Sequence, residues 1–135
     1  MAFVEVAGLG DDYEDQPVAE GNYNLRIQDA RDGRNKANTC DQIVVIIHID
    51  SEEGGAPTEG AGSIFHYLTF PADVDEDSVK RFKMRDISRF LPLFNVQFEK
   101  KGLNSEDMIG QTATCLVVQD EYEGSVSNKL KLPRA

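Results

Sequence analysis

Phe65 and Tyr67 stand two residues apart in the run Ser63-Ile64-Phe65-His66-Tyr67-Leu68-Thr69-Phe70. In an extended strand, residues two apart share a face. Ile64, Leu68 and Phe70 suit a core, with His66 sharing their parity, so Phe65, Tyr67 and Thr69 point outward. Two exposed rings on one strand make a stacking platform. Nucleobases stack on such rings for ~1–3 kcal/mol each, with little preference among bases. A bulge between Gly62 and Phe70 would reverse the parity and send both rings into the core. Tyr122, just ahead of Glu123-Gly124, is a third candidate ring. The candidate cations are Arg26, Arg31, Arg34, Lys36, Lys129 and Lys131. Such side chains neutralise phosphates and release their counterions. Arg26 belongs to the outward set Asn22, Asn24, Arg26 and Gln28, while Lys129 and Lys131 share a face opposite Val126, Leu130 and Leu132.

Other chemistries find less support. His48 and His66 are the two histidines, and neither has a Cys or carboxylate at a metal-ligand offset. Asp11-Asp12 and Asp73-Val74-Asp75-Glu76-Asp77 do not follow the calcium-loop pattern. Gly8-Leu9-Gly10 lacks the third glycine of a dinucleotide fingerprint and the Lys of a phosphate loop. No G-x-S-x-G is present. No nucleophile–base pairing stands out, so no enzyme, metal or cofactor is expected. Cys40 and Cys115 are far apart and outside any C-x-x-C, as expected of reduced thiols.

The 135 residues suit one domain, and 40% hydrophobic with 28% charged residues is a globular balance. The longest apolar run, residues 43–47, falls far short of the ~20 residues that span a bilayer. The opening Met1-Ala2-Phe3-Val4-Glu5 lacks a basic and an apolar leader segment, so no signal peptide is expected. The net charge of −10 is unevenly spread. Residues 1–20 hold six acids and no base, and residues 37–79 hold nine acids and no base. Residues 80–101 hold seven bases against two acids, and a smaller basic cluster runs from Arg31 to Lys36. Salt screens fields beyond ~10 Å, so a local positive groove can exist on an acidic protein.

The elements that must position these residues follow from periodicity. Residues 1–19 read as an acidic arm without sustained period, though Phe3, Val4, Val6 and Leu9 give it apolar side chains for docking. Residues 20–135 read as the domain. Tyr23, Leu25 and Ile27 alternate with polar residues in a first strand, which Asp32-Gly33-Arg34-Asn35 turns. A second strand over 40–50 is almost continuously apolar, which suggests cover on both faces at its middle. A loop over 51–62 leads to a third strand over 63–70. Asp75-Glu76-Asp77-Ser78 offers acids and a capping hydroxyl to a helix whose stripe is Val79, Phe82, Ile87, Phe90 and Leu91. Pro92 breaks it near its end. Residues 105–108 make one more turn, and strands over 111–122 and 125–132 close the chain. Five strands with one helix between the third and fourth is the layout of the OB-fold, a five-stranded Greek-key barrel. A β-sandwich with a stray helix and an SH3-like barrel compete with this mainly β reading. The helix position favours the OB-fold.

Val18-Ala19-Glu20-Gly21-Asn22-Tyr23-Asn24-Leu25-Arg26-Ile27 resembles the first strand of small phage-encoded proteins. Ile109-Gly110-Gln111-Thr112, Glu121-Tyr122-Glu123-Gly124 and Asn128-Lys129 resemble their last two strands. The likeness covers roughly residues 17–133 and is to the phage single-stranded-DNA-binding proteins of OB-fold type. It implies a non-enzymatic protein that coats transient single-stranded DNA in phage replication or recombination. The setting it implies is the cytoplasm of the bacterial host, with replication or recombination proteins as further partners. Pairing into a homo-oligomer is also expected, since single domains of this kind gain effective concentration that way. The reading that competes from another class is an acidic protein-interaction module on the same fold, either a replication accessory or a DNA-mimicking inhibitor.

Overall fold

A computed structural model describes residues 17–55, 57–58, 62–99 and 102–133, apart from the side chain of Tyr122. The acidic segment 1–16 lies outside the described residues. The elements, in order, are β1 (Gly21–Arg34), β2 (Asp41–Glu52), β3 (Ile64–Thr69), α1 (Asp77–Leu93), a short 3-10 turn (Ser105–Met108), β4 (Thr112–Tyr122) and β5 (Ser125–Lys131). The chain is mainly β. The strands form one antiparallel sheet in the order β3-β2-β1-β4-β5. Its two edge strands, β3 and β5, come into contact, so the sheet curls toward a small barrel. Among the described residues, no helix is long and apolar enough to cross a membrane.

Alternation builds the core. Tyr23, Leu25 and Ile27 of β1, Ile43, Val45, Ile47 and Ile49 of β2, and Ile64 and Leu68 of β3 point inward and are buried. Cys115 and Val117 of β4 join them, with Ile87, Phe90 and Leu91 of α1 and Phe94, Val96 and Met108 beyond it. The outward side chains of β2 (Gln42, Val44, Ile46, His48) are half-buried, so cover on its second face is partial. Cys40 and Cys115 are free thiols, and both are buried.

β1 is long because it is bent. Ile27 pairs with Ile47, and the next pair is Asp29 with Ile46, which leaves Gln28 as an extra residue. Such a bulge increases local twist and shifts the face of every later side chain. Gln28 is therefore a bulge residue and not one more member of the outward set. The expected turn at Asp32-Gly33-Arg34-Asn35 also lies later: the strand runs through Arg34, and Asn35 makes the turn. Its backbone N–H donates to the Cys40 carbonyl (3.1 Å), and its side-chain oxygen accepts from the Thr39 and Cys40 N–H groups.

α1 departs from expectation at its start. Its N-cap is Glu76, with no side-chain cap bond, so the expected capping hydroxyl does not serve. Asp75 instead accepts from the Ala72 N–H (2.9 Å) and from Lys83 Nζ (2.6 Å). Val79 and Phe82 were expected in the core but are 40% and 71% exposed, because only the C-terminal half of α1 packs inward. There the His66 ring stacks on Phe90 with centroids 4.8 Å apart, and His66 Nε2 lies 3.2 Å from Asp86 Oδ2. Pro92 sits inside the last turn. Asn95 then adopts the left-handed conformation (φ 54°). The Asn95 N–H donates to the Pro92 carbonyl and the Val96 N–H to the Leu91 carbonyl, the paired bonds that end a helix in a Schellman motif.

Candidate nucleic-acid interface

Phe65 and Tyr67 are each 54% exposed, on the face of β3 opposite Ile64 and Leu68. Cross-strand register extends this face over three strands. Tyr67 pairs with Val44, and Val44 with Arg31. Phe65 pairs with Ile46, and Ile46 with Asp29. His48 pairs with Arg26 one row further on. Two rings thus lie beside two half-buried aliphatic side chains, with guanidinium groups along the far side. The bulge at Gln28 is what puts Arg26 and Arg31 on the same face. Without it, strict alternation would send the odd-numbered Arg31 to the side of Leu25 and Ile27.

The cations here have counter-ions of their own. Arg31 Nε donates to Asp29 Oδ2 at 2.8 Å, and Arg26 Nη2 lies 3.5 Å from Asp50 Oδ1. The bond from Arg31 holds the Asp29 carboxyl below its usual range, helped by the Ala30 N–H. His48 Nε2 also lies 3.5 Å from Asp50 Oδ1. Exposed pairs of this sort are worth ~0–1 kcal/mol. A phosphate whose two oxygens accept from the same guanidinium in a bidentate contact can replace a carboxylate at small cost.

The remaining expected site residues divide. Arg34 has the inward parity at the open end of the sheet, opposite to Arg31. Its Nη1 donates to Asp41 (2.9 Å) and its Nε to the Asn38 side chain (3.1 Å), so it braces the turn. Lys36 is exposed within that turn. Lys129 and Lys131 point outward from β5, in register with Val118 and Leu116, and Lys129 Nζ lies 2.7 Å from Asp120. Phe65 meets β5 at the seam: a cavity of about 270 Å³ is lined by Pro17, Gly62, Ser63, Phe65, Val126, Ser127 and Asn128. Lys129 is two residues beyond Ser127 on the same face. Tyr122 pairs with Ser125 across a two-residue turn, and its side chain lies outside the described residues. So the structure brings Arg26, Arg31, Phe65 and Tyr67 together and sets Phe65 beside β5, while Arg34 faces elsewhere.

Sequence reasoning missed Val44 and Ile46 as the floor between rings and cations. The unbroken apolar run 43–47 was their signal. It also missed Asp29 and Asp50 as internal counter-ions, although Asp29 stands two residues from Arg31 on one strand. His48 and His66 fall on opposite faces of the sheet and share no site. Among the described residues, no three His, Cys, Asp or Glu side chains cluster so as to hold a metal ion. Compared with known proteins, the chain matches no family model and no curated sequence.

Proposed function

We propose that this chain is a single-stranded-DNA-binding protein on an OB-fold, acting by phosphate neutralisation and base stacking and without catalysis. The observation that carries this reading is the pair Phe65 and Tyr67, half-exposed side by side on β3 and in register with Val44, Ile46 and Arg31. With half-buried Val44 and Ile46 beside them, the two rings form a contiguous apolar patch, and patches of this sort mark binding surfaces. The sheet order β3-β2-β1-β4-β5, with β3 touching β5 and a helix between β3 and β4, supports the five-stranded Greek-key barrel. The residue spacing shared with phage single-strand binders supports a role on transient single strands in phage replication or recombination, in the cytoplasm of the bacterial host.

Arg26 and Arg31 grip phosphates in this reading, Lys129 and Lys131 extend the track along β5, and bases lie on Phe65 and Tyr67. Lys36 and Arg34, at the β1–β2 turn, border one end. A second reading has its own observation. Arg26, Arg31 and Lys129 each pair with an aspartate, which suits an acidic interaction module that needs no free cations on this face.

Photo-crosslinking separates the two. A thymidine oligonucleotide carrying 5-iodouracil couples to rings stacked against it. The tryptic peptide 37–80, which holds Phe65 and Tyr67, should carry the crosslink, and Phe65→Ala with Tyr67→Ala should remove most of it. Crosslinks confined to other peptides, or none, would overturn the assignment.

A further inference from the structure

The interface above leaves unused an apolar groove on another part of the surface. A cavity of about 480 Å³ lies between α1 and the chain that follows it. Met84, Ile87, Leu91 and Pro92 form one wall, and Phe98, Leu103 and Phe70 face them. Met84 is 50% and Phe98 63% exposed, large apolar side chains that nothing among the described residues covers. At 100° per residue, Arg81 and Arg85 follow Met84 and Ser88 around α1 and border the groove on its solvent side. Both are exposed, and neither forms an ion pair among the described residues. Glu99 is the carboxylate in the lining. An apolar floor with a cationic border selects an acidic segment that carries large apolar side chains.

The chain has such a segment. Residues 1–16 contain Phe3, Val4, Val6 and Leu9 together with Glu5, Asp11, Asp12, Glu14 and Asp15, and no Lys or Arg. The domain proper starts at a fixed point. The Val18 N–H donates to Asn128 Oδ1 (2.8 Å), and the Val18 carbonyl accepts from Asn128 and Gln119. From there sixteen residues reach up to ~50 Å, against a radius of gyration of ~13 Å for a domain of this size. Tethering supplies an effective concentration in the mM range, so a weak contact suffices. We propose that residues 1–16 dock in this groove of their own molecule. The apolar side chains cover Met84, Phe98 and Leu103, and the carboxylates face Arg81 and Arg85. This does not rest on the nucleic-acid reading.

The test is amide NMR of the full chain against a variant with Phe3→Ala, Val4→Ala, Val6→Ala and Leu9→Ala. Shift changes are expected at residues 84–91, 98 and 103, with Phe65 and Tyr67 unmoved. A synthetic peptide of residues 1–16 added to the variant should reverse them. Arg81→Glu with Arg85→Glu should reproduce them in the otherwise native chain. Changes centred on Phe65 and Tyr67, or none beyond the substituted segment, would overturn the proposal. Groove changes that depend on protein concentration would assign the segment to a second copy and overturn the intramolecular contact.

Discussion

Asp29 and Arg31, 2.8 Å apart, set the electrostatics of the candidate interface at the scale of single residues. The carboxylate competes with any phosphate for that guanidinium. Asp29→Asn removes the competitor and one negative charge, and an exposed pair is worth up to ~1 kcal/mol. Oligonucleotide binding should therefore tighten by up to about fivefold, as read by titration at constant salt. The rings act in the opposite sense. Tyr67→Ala should weaken binding by ~1–3 kcal/mol, roughly 5- to 150-fold. Because Tyr67 is 54% exposed, its urea midpoint should move little, by less than ~1 kcal/mol of stability. A variant that loses stability and affinity together would make Tyr67 a packing residue instead.

At the scale of elements, three turns rest on left-handed backbone held by residues other than glycine, the first being the β1–β2 turn with Asn38 (φ 55°). Asn95 (φ 54°) ends α1, and Glu123 (φ 49°) begins the two-residue β4–β5 hairpin with Gly124 (φ 83°). Two consecutive positive φ values make a type I′ turn, for which Asn-Gly is the favoured pair. Glu123→Asn should stabilise the fold by several tenths of a kcal/mol. Asn95→Ala should cost ~1 kcal/mol, whereas Asn95→Gly should not. Urea unfolding of the variants checks both. These elements were legible in the sequence to unequal depth. The β3 parity could be read directly, because Ile64, Leu68 and the two rings alternate without a break. The β1 bulge leaves only a faint trace in the sequence: Ile27 and Ala30, both buried, are three residues apart where alternation requires two or four. The helix stripe misled because hydrophobic spacing marks the face that could be buried, not how far the sheet extends beneath it. Val79 and Phe82 have the right spacing, but their half of α1 lies beyond the core. The ion pairs of the candidate site could not be read from composition, since they depend on which strand faces share a row.

At the scale of the whole molecule, a net charge of −10 must coexist with the proposed binding to a polyanion. Long-range repulsion is screened within ~10 Å at 0.1 M salt, so contact chemistry decides. The same carboxylates link stability to pH. Asp29 is held below its usual range chiefly by Arg31, Asp32 chiefly by the Ser105 hydroxyl, and Asp75 chiefly by the Ala72 N–H with Lys83 next. For a carboxylate whose folded value is lowered, the stabilisation is complete above the unfolded value of ~3.9 and is lost as pH falls through the folded value. The urea midpoint should hold steady from pH 7 to pH 5 and fall below about pH 4. Asp75→Asn should make that fall shallower, and an unchanged acid slope would remove Asp75 from the set.

The central claim is that the face of Phe65, Tyr67, Arg26 and Arg31 holds single-stranded DNA. Fluorescence anisotropy of a labelled thymidine oligonucleotide of ~30 nucleotides, across a salt series and with a duplex control, tests it most directly. The expected result is preferential single-strand binding that weakens with salt. If Arg26, Arg31, Lys129 and Lys131 each meet a phosphate, the slope of log K against log salt is about −3. No binding at low salt, or equal affinity for the duplex, would contradict the claim and turn attention to a protein partner for this face.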